Sequence, residues 1–479
     1  MPDSVSASPA STTLLRALPR VDDLVQKLTI HFGDAQATMR RPEILQAARQ
    51  SLDEHRQAIL QGQTFDTASL NAAVLGQAIT LLEQTTQTAP RRVLNGTGIV
   101  IHTGLGRSLL SRSAVEAVAG VAASHCALEV DIESGERGKR DASIAALLRE
   151  ITGAEDATVC NNCAGATFLA LNTLAQGKTV ACSRGELVEI GGGFRMPDVM
   201  VQSGCTLREV GTTNKTRLSD YESVFDSETE IGALLKVHTS NFRIVGFTAE
   251  VPLAELTKLG HERGVPVIED LGSGVLVDLT KAGLPHEPRV QNSVIAGADV
   301  ICFSGDKLLG GPQCGVLVGK REAIARIRKN PMMRALRCDK FTLAALEATL
   351  RHYRDEDEAW REIPTLRALG EPLSEVKKRA QKLARMLQKL PAQIEVRSSR
   401  AQAGAGALPT TTIDSFAVCL APPQLSLAEL ARRLRINNPS IWGRIHENQF
   451  WLDCRTLSDD ELKECALAIE SSLQNSLHG

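Results

Sequence analysis

The stretch that decides the fold of this chain is ADVICFSGDKLLGGPQCGVLVGK, residues Ala298 to Lys320. Its two apolar runs, 300–303 and 315–319, predict buried strands, and the glycine-rich segment between them predicts a turn. Lys307 therefore follows the end of a buried strand, where a lysine that loses solvent becomes a nucleophilic amine. Such an amine suits a Schiff base with an aldehyde cofactor such as pyridoxal phosphate. The alternative is a lysine on a solvated loop, where most lysines lie.

Outward from this stretch, from Val93 to about Lys320, strand-like apolar runs alternate with helical patterns. Alternation of this kind predicts an α/β domain with a largely parallel sheet, whose ligands gather at the carboxyl ends of the strands. The predicted strands lie at 99–101, 157–159, 179–181, 199–201, 206–210, 233–237, 265–268 and 300–303. The predicted helices between them lie at 112–123, 141–152, 164–176 and 253–263.

Two further domains are predicted on either side of the α/β domain, which spans residues 91–330. Residues 1–90 show three amphipathic helical patterns and predict an N-terminal helical domain. This segment holds seven Lys and Arg against nine Asp and Glu, a net charge of −2, which argues against charge-led nucleic-acid binding. Residues 331–479 predict a small C-terminal α+β domain with connecting helices, in which the glycine-rich segment 398–406 is a loop.

The composition is that of an ordinary globular protein, with 43% hydrophobic and 23% charged residues and a formal net charge of −2. The 11 cysteines follow no disulfide framework, which favours a reducing cytoplasm. The pair Cys160 and Cys163 has no second pair or histidine cluster, so no metal site is predicted. The N-terminus lacks the pattern of a signal peptide, and no apolar run of about 18 residues predicts a membrane span.

Two stretches supply the groups that a pyridoxal phosphate bound at Lys307 would need. In VPVIEDLGSG, residues 265–274, a predicted strand ends at Asp270, and a carboxylate there can pair with the pyridinium nitrogen. The alternative is that Asp270 only caps a turn, since Asp near Gly is ordinary turn chemistry. In TVCNNCAGAT, residues 158–167, small residues open a helix whose N-terminus can bind phosphate. The expected phosphate-binding residues are Asn162, Ala164 and Gly165.

Candidate substrate-binding residues lie in three further stretches. Arg107 follows a glycine-rich turn, and Arg334 and Arg337 are three residues apart, which would place both on one helical face. The arginine fork suits tetrahedral oxyanions, although the last pair alone is more typical of a solvated basic face. Asn241, in the segment 240–243 after a predicted strand, could hold a substrate carboxyl or ester group.

Taken together, five motifs closely resemble the bacterial selenocysteine synthases, the L-seryl-tRNA(Sec) selenium transferases. These motifs are NGTGIVIHT at 95–103, SRGELVEIGG at 183–192, VGTTN at 210–214, KVHTSNF at 236–242 and SGDKLLGGPQ at 304–313. The resemblance implies the fold of fold-type-I pyridoxal-phosphate enzymes, with Lys307 carrying the cofactor. It also implies that Arg107, Arg334 and Arg337 match the family's basic pocket for the selenium donor, selenophosphate.

The resemblance further implies a homo-oligomer, described for the family as a decamer built from dimers, and an N-terminal helical domain that binds tRNA(Sec) charged with serine. Shape recognition fits the negative charge of this segment, because RNA is often read by shape. The expected reaction is a β-replacement, in which the serine hydroxyl is eliminated and selenium adds to an aminoacrylyl intermediate. Asp306 is a candidate for proton transfer or phosphate positioning, and Ser304 for cofactor binding.

Two other functions compete with this expectation. The first is a pyridoxal-phosphate ammonia-lyase of a small phosphorylated amino acid, which would keep Lys307 and Asp270 and use the arginines for the substrate phosphate. The second is a catalytically inactive RNA-binding module. The N-terminal helical domain argues against the lyase, which does not need it, and a cofactor bound at Lys307 would argue against the inactive module.

Overall fold

The computed structural model describes residues 9–33, 41–86, 90–226 and 230–474. The chain divides into two compact units, residues 1–92 and residues 93–479. None of the helices in the described ranges is both long and apolar enough to cross a lipid bilayer.

The described part of the N-terminal unit is helical, as the sequence predicts. Its amphipathic helices bury one apolar stripe each, and Leu28, Ile59, Leu70 and Val74 are fully buried in a common core. The helices are α1 (Pro9–Ala17), α2 (Val21–Phe32), α3 (Arg41–Leu60) and α4 (Thr67–Thr86).

The second unit is organised around a seven-stranded sheet. Every strand in it is parallel to the others except β10, which runs antiparallel to both of its neighbours, so the prediction of a largely parallel sheet is confirmed. In spatial order the strands are β2 (Asp156–Cys160), β10 (Gly315–Gly319), β9 (Val300–Ser304), β8 (Val267–Gly272), β7 (Ile231–Val237), β3 (Thr179–Ser183) and β6 (Thr206–Val210).

Helices cover this sheet, and further helices follow its last strand, β10, in the sequence. The predicted helices at 112–123, 141–152, 164–176 and 253–263 are all present, within two residues at each end. The helices are α5 (Arg112–Ala122), α6 (Ala142–Thr152), α7 (Cys163–Ala175), α8 (Met196–Gln202), α9 (Leu218–Glu222), α10 (Leu253–Glu262), α11 (Val290–Ile295), α12 (Arg321–Lys329), α13 (Met332–Ala335), α14 (Lys340–His352), α15 (Glu356–Glu362) and α16 (Pro364–Gly370).

The C-terminal part builds a second, four-stranded antiparallel sheet in the order β11, β12, β15, β14. Short strands β1 and β13 pair in parallel, which ties the start of this unit to its C-terminal part, and β4 pairs with β5. The elements are β1 (Val93–Asn95), β4 (Glu189–Ile190), β5 (Phe194–Arg195), α17 (Leu373–Leu387), β11 (Gln393–Gly404), β12 (Ala407–Ala421), α18 (Leu427–Ile436), β13 (Ser440–Trp442), β14 (Arg444–His446), β15 (Gln449–Asp453) and α19 (Leu462–Gln474).

Three local predictions are wrong. Residues 199–201 lie in helix α8, with Pro197 in its first turn, and do not form a strand. Residues 99–101 form only an isolated bridge, between Ile99 and Gln402. Residues 398–404 form the end of strand β11 rather than a loop, because a long hairpin with β12 satisfies their backbone groups.

Burial on both faces of strand β9 explains why residues 300–303 are a continuous apolar run in the sequence. Val300 and Cys302 belong to one buried apolar cluster, while Ile301 and Phe303 belong to another, so the strand is covered on both faces. The carboxyl ends of β2, β7, β8 and β9 lie at the same edge of the sheet because these strands run parallel. The residues that follow or end these strands are therefore brought together there.

Candidate active site

Lys307 lies in the turn after β9 and is almost completely buried, with 6% of its surface exposed. Two loops hold its backbone: Ser108 Oγ donates to the Lys307 carbonyl over 2.6 Å, and the Leu308 amide donates to the Ser273 carbonyl over 3.1 Å. Its amine lies beside the end of β8, since a methyl group added at Gly272 would lie 3.9 Å from Lys307 Nζ. The lysine is thus fixed and shielded from water, as a nucleophilic amine requires.

Asp270 lies on β8, directly beside Cys302 of β9, and its carboxylate faces the same space as the lysine amine. Burial raises the pKa of Asp270, while a hydrogen bond from Thr167 and the positive charge of Lys307 oppose that rise in pKa. Thr167 Oγ1 donates to Asp270 Oδ2 over 2.9 Å, and Cys163 Sγ lies 3.8 Å from Asp270 Oδ1. Two polar groups of helix α7 therefore stabilise the ionised carboxylate.

The N-terminus of α7 points its small residues toward this edge of the sheet. Asn162 is the N-cap residue, and its Oδ1 accepts a hydrogen bond from the Gly165 amide over 2.8 Å. Ala164 lies between them in the first turn, where the helix dipole is positive. Ser304 ends β9 in a buried position close to Cys163. The four predicted cofactor-binding residues Asn162, Ala164, Gly165 and Ser304 thus lie around the start of one helix.

Arg107 and Asp306 form an ion pair immediately beside Lys307. Arg107 Nη1 lies 2.8 Å from Asp306 Oδ2, and the Asp306 side chain is 8% exposed. The Arg107 backbone has a left-handed φ of +64°, directly after Gly106 at φ +97°, so a tight turn aims this arginine at the lysine loop. Of the three arginines that the sequence predicts to bind substrate, Arg107 is the one that lies beside Lys307.

Arg334 and Arg337 lie in a different cavity of the chain. Helix α13 ends at Ala335, so the prediction that both arginines share one helical face is wrong. Arg337 Nη1 lies 3.4 Å from Glu129 Oε1, and Arg334 is exposed. The cavity has a volume of about 550 Å³, and Lys307 is not among its lining residues. Its charged lining residues are Glu129, Arg137, Lys139, Arg140, Asp141, Arg328, Arg334 and Arg337.

The segment after β7 places Ser240 closer to the lysine than Asn241. Asn241 is exposed, and its Nδ2 donates to the Glu189 carbonyl over 2.7 Å. Ser240 is 3% exposed, and a methyl group added at Gly272 would lie 3.5 Å from Ser240 Oγ. The hydroxyl of Ser240 therefore faces the same space as Lys307 Nζ.

Two other residues of the site escape the sequence prediction. Thr167 is four residues after Cys163, so helical periodicity places both on the face of α7 that meets Asp270. Gly406, at the tip of the β11–β12 hairpin, approaches Lys307 from the C-terminal part of the chain. Nothing local in the sequence indicates that approach, which depends on the pairing of strands β11 and β12, 86 to 114 residues after the lysine.

These residues fit pyridoxal phosphate. A buried lysine amine and a buried carboxylate lie at the ends of adjacent strands. Gly272 lies between them and has no side chain that would fill the space. The start of α7 supplies backbone amides and a positive dipole for a phosphate group. Lys307 would hold the aldehyde, Asp270 the pyridinium nitrogen, and the α7 N-terminus the phosphate.

The cysteines at this site are free thiols. Burial raises the pKa of Cys160 to about 12 and that of Cys163 well above the ordinary thiol value. Within the described ranges, no group of three or more His, Cys, Asp or Glu side chains is arranged to hold a metal ion.

Comparison with known proteins shows which family the chain belongs to. Residues 93–458 match the family model of SelA, L-seryl-tRNA selenium transferase. The L-seryl-tRNA(Sec) selenium transferase of Carboxydothermus hydrogenoformans is 47% identical over 462 residues, covering 96% of this chain and 98% of the relative. That of Nitratidesulfovibrio vulgaris is 48% identical over 466 residues, covering 96% and 99%.

A solved structure shows the same fold at much lower identity. The structure of D-glucosaminate-6-phosphate ammonia-lyase superposes with a TM-score of 0.57 at 19% identity, covering 83% of this chain and 99% of that chain. The fold is that of fold-type-I pyridoxal-phosphate enzymes, as the sequence predicts. By its family model and by relatives that align over nearly its whole length, the chain belongs to the L-seryl-tRNA selenium transferase family.

Proposed function

We propose that this chain converts L-seryl-tRNA(Sec) to L-selenocysteinyl-tRNA(Sec), with selenophosphate as the selenium donor and pyridoxal phosphate as the cofactor. The observation that carries the proposal is the pairing of buried Lys307 with buried Asp270 at the ends of adjacent strands. Relatives that align over nearly their full length at 47–48% identity favour this reaction over the lyase reaction. The ammonia-lyase structure is similar to this chain only in its fold, at 19% identity.

Lys307 has two roles in this proposal. Its amine first holds the cofactor, and after the amino group of the serine has displaced it, Nζ takes the proton from the α-carbon of the serine. Pyridoxal phosphate, when bound, supplies a sink for the electrons released at that carbon. Lys307 is buried among the loops that contain residues 108, 273 and 306, and this burial keeps water away from its amine.

Asp270 and helix α7 orient the cofactor. The carboxylate of Asp270 must be ionised to pair with the pyridinium nitrogen, and the Thr167 hydrogen bond favours the ionised form. Asn162, Ala164, Gly165 and Ser304 surround the seat for the phosphate group. One helix thus serves both ends of the cofactor.

Arg107 is proposed to bind the selenium donor beside Lys307, and Arg334 and Arg337 to bind it in the separate basic cavity that they line. Arg107 presents a guanidinium beside Lys307, positioned by Asp306. Asp306 therefore acts first as a positioning residue, and proton transfer by its carboxylate is a further role of the same group. Arg334 and Arg337 line a strongly basic cavity that suits an anion, and Asn241 is placed at the exposed rim near Ser240.

The N-terminal unit is proposed to bind the tRNA, and the chain to assemble as a decamer built from dimers in the cytoplasm, where charged tRNA is found. Exposed apolar side chains on two loops of the second unit, Ile132, Val245 and Phe247, each more than 80% exposed, support burial against another copy. Removal of residues 1–92 should abolish binding of tRNA(Sec) and leave cofactor binding unchanged. Equal tRNA affinity with and without these residues would refute the assigned role.

The cofactor proposal has a direct spectroscopic test. Purified protein mixed with pyridoxal phosphate should gain the visible absorbance band of a lysine-bound pyridoxal, and Lys307→Ala should lack this band. Lys320→Ala, at an exposed lysine on the next strand's end, is the matched control and should keep the band. A wild-type protein without the band would refute the proposed chemistry.

A further inference from the structure

The hairpin of β11 and β12 is fixed against the segment that leads to Arg107. The Val100 amide donates to the Gln402 carbonyl over 3.0 Å, and the Ile101 amide to the Ala403 carbonyl over 2.7 Å. Midway along the hairpin, the fully buried Asp453 accepts hydrogen bonds from two serine hydroxyls, Ser399 on β11 and Ser415 on β12. The tip of the hairpin therefore has a defined position in the site.

Gly406 lies at this tip beside the lysine amine, and it has no side chain that would reach the amine. A methyl group added at Gly406 would lie 3.6 Å from Lys307 Nζ, 3.3 Å from Ser240 Oγ and 3.8 Å from Asn241 Cβ. The residue has a φ of +68°, which glycine adopts without strain. The space beside Nζ is thus bounded by backbone on one side and by the Ser240 hydroxyl on another.

Gly272 borders the same amine from the cofactor side. A methyl group there would lie 3.9 Å from both Asp270 Oδ1 and Lys307 Nζ, between the groups that hold the ring nitrogen and the aldehyde. The nearest neighbours of a methyl group at Gly406 include no atom of Asp270. A methyl group at Gly272 would also lie 3.5 Å from Ser240 Oγ, so both glycines border the space between Ser240 Oγ and Lys307 Nζ, and Gly272 alone has Asp270 among its nearest neighbours.

We infer that Gly406 is a specificity-determining residue, which keeps the space between Lys307 Nζ and Ser240 Oγ free for the aminoacyl group of the substrate. The ligand class is an α-amino acid ester with a small side chain, whose amino group must come beside Nζ to take its place on the aldehyde carbon and release the lysine amine. This inference rests on the proposed function, and it assigns the C-terminal hairpin a part in substrate selection.

The test compares Gly406→Ala with Gly264→Ala. Gly264 has nearly the same φ, +67°, and a methyl group there meets nothing within 4 Å, so this control carries the same backbone strain away from the site. Three quantities are measured: the affinity for pyridoxal phosphate from the visible band, the change in that band on adding seryl-tRNA(Sec), and the affinity for uncharged tRNA(Sec).

We expect Gly406→Ala to bind pyridoxal phosphate and uncharged tRNA(Sec) within twofold of the control, and to need at least tenfold more seryl-tRNA(Sec) for half of the band change. Equal responses of the two variants to seryl-tRNA(Sec) would overturn the inference, as would a loss of cofactor affinity as large as that of Gly272→Ala. If Gly406→Ala does not fold, Gly406→Asn against Gly264→Asn repeats the test with a residue that tolerates left-handed φ. A wild-type protein whose band ignores seryl-tRNA(Sec) would instead refute the proposed function.

Discussion

Thr167 donates a hydrogen bond to Asp270 over 2.9 Å, and both side chains are buried beneath the lysine pocket. Thr167 lies in the second turn of α7, the helix whose first turn is the proposed phosphate seat. In the proposed function, the same helix therefore sets the position of the phosphate and the ionisation of the carboxylate that would pair with the ring. This coupling makes Thr167 a positioning residue that acts through Asp270.

Replacement of this threonine should change the pH dependence of cofactor binding. Thr167→Val removes a hydrogen bond that lowers the pKa of Asp270, so the pKa rises and a smaller fraction of Asp270 is ionised at a given pH. A hydrogen bond to a charged group contributes about 1.5–3 kcal/mol, which corresponds to a shift of about one pKa unit or more. Titration of the visible band should show cofactor release at higher pH in Thr167→Val, whereas Thr167→Ser should match the wild type. An unchanged or lowered midpoint in Thr167→Val would show that the hydrogen bond has no such effect.

The ion pair of Arg107 and Asp306 predicts a combined loss of stability and donor binding. Arg107→Ala leaves a carboxylate that is 8% exposed without its cation, at a cost of about 1–3 kcal/mol in the free energy of unfolding. The same variant should raise the KM for selenophosphate at least tenfold, because it removes the guanidinium beside Lys307. Arg107→Lys keeps the charge and should lose less in both measurements. If only stability falls and the KM is unchanged, Arg107 does not bind the donor.

Glu269, next to Asp270 on β8, predicts how stability changes with pH. Burial raises the pKa of Glu269 to about 7, against an ordinary value of 4.5, and Ser293 partly offsets this by hydrogen bonding. A group whose pKa is raised by folding stabilises the fold fully below its unfolded pKa, and this contribution is lost as the pH rises through about 7.

Glu269→Gln should remove this dependence. Between pH 5 and pH 8, the free energy of unfolding of the wild type should fall by about 2–3 kcal/mol more than that of the variant. Denaturant titrations at both pH values measure the difference, and Glu255→Gln, at a residue outside the core in the first turn of α10, serves as the control. Parallel pH profiles for the wild type and Glu269→Gln would contradict the raised pKa.

The centre of the site could be predicted because its signals are local. Asp270 and Lys307 each end or follow an apolar strand, and the small residues after Cys160 precede a helix, so parallel pairing alone brings them to one edge. The apolar run of β9 is continuous because both faces are buried. Each of these features depends on fewer than ten consecutive residues.

Other features depend on partners that are distant in sequence. Residues 199–201 are apolar and β-branched enough to suggest a strand, yet they pack in α8, since short apolar runs do not distinguish the two. The glycines near 404 suggest a loop, but pairing with β12 extends the strand to Gly404 and brings Gly406 to the lysine. The spacing of Arg334 and Arg337 suggests one helical face, but the helix ends between them.

The most direct measurement is the conversion of the charged tRNA itself. Purified wild-type protein, loaded with pyridoxal phosphate, is incubated with seryl-tRNA(Sec) and selenophosphate, and the esterified amino acid is identified by mass spectrometry after release from the tRNA. We expect selenocysteine to replace serine with the wild type and serine to remain with Lys307→Ala. Serine that stays unconverted by cofactor-loaded wild-type protein would contradict the proposed function.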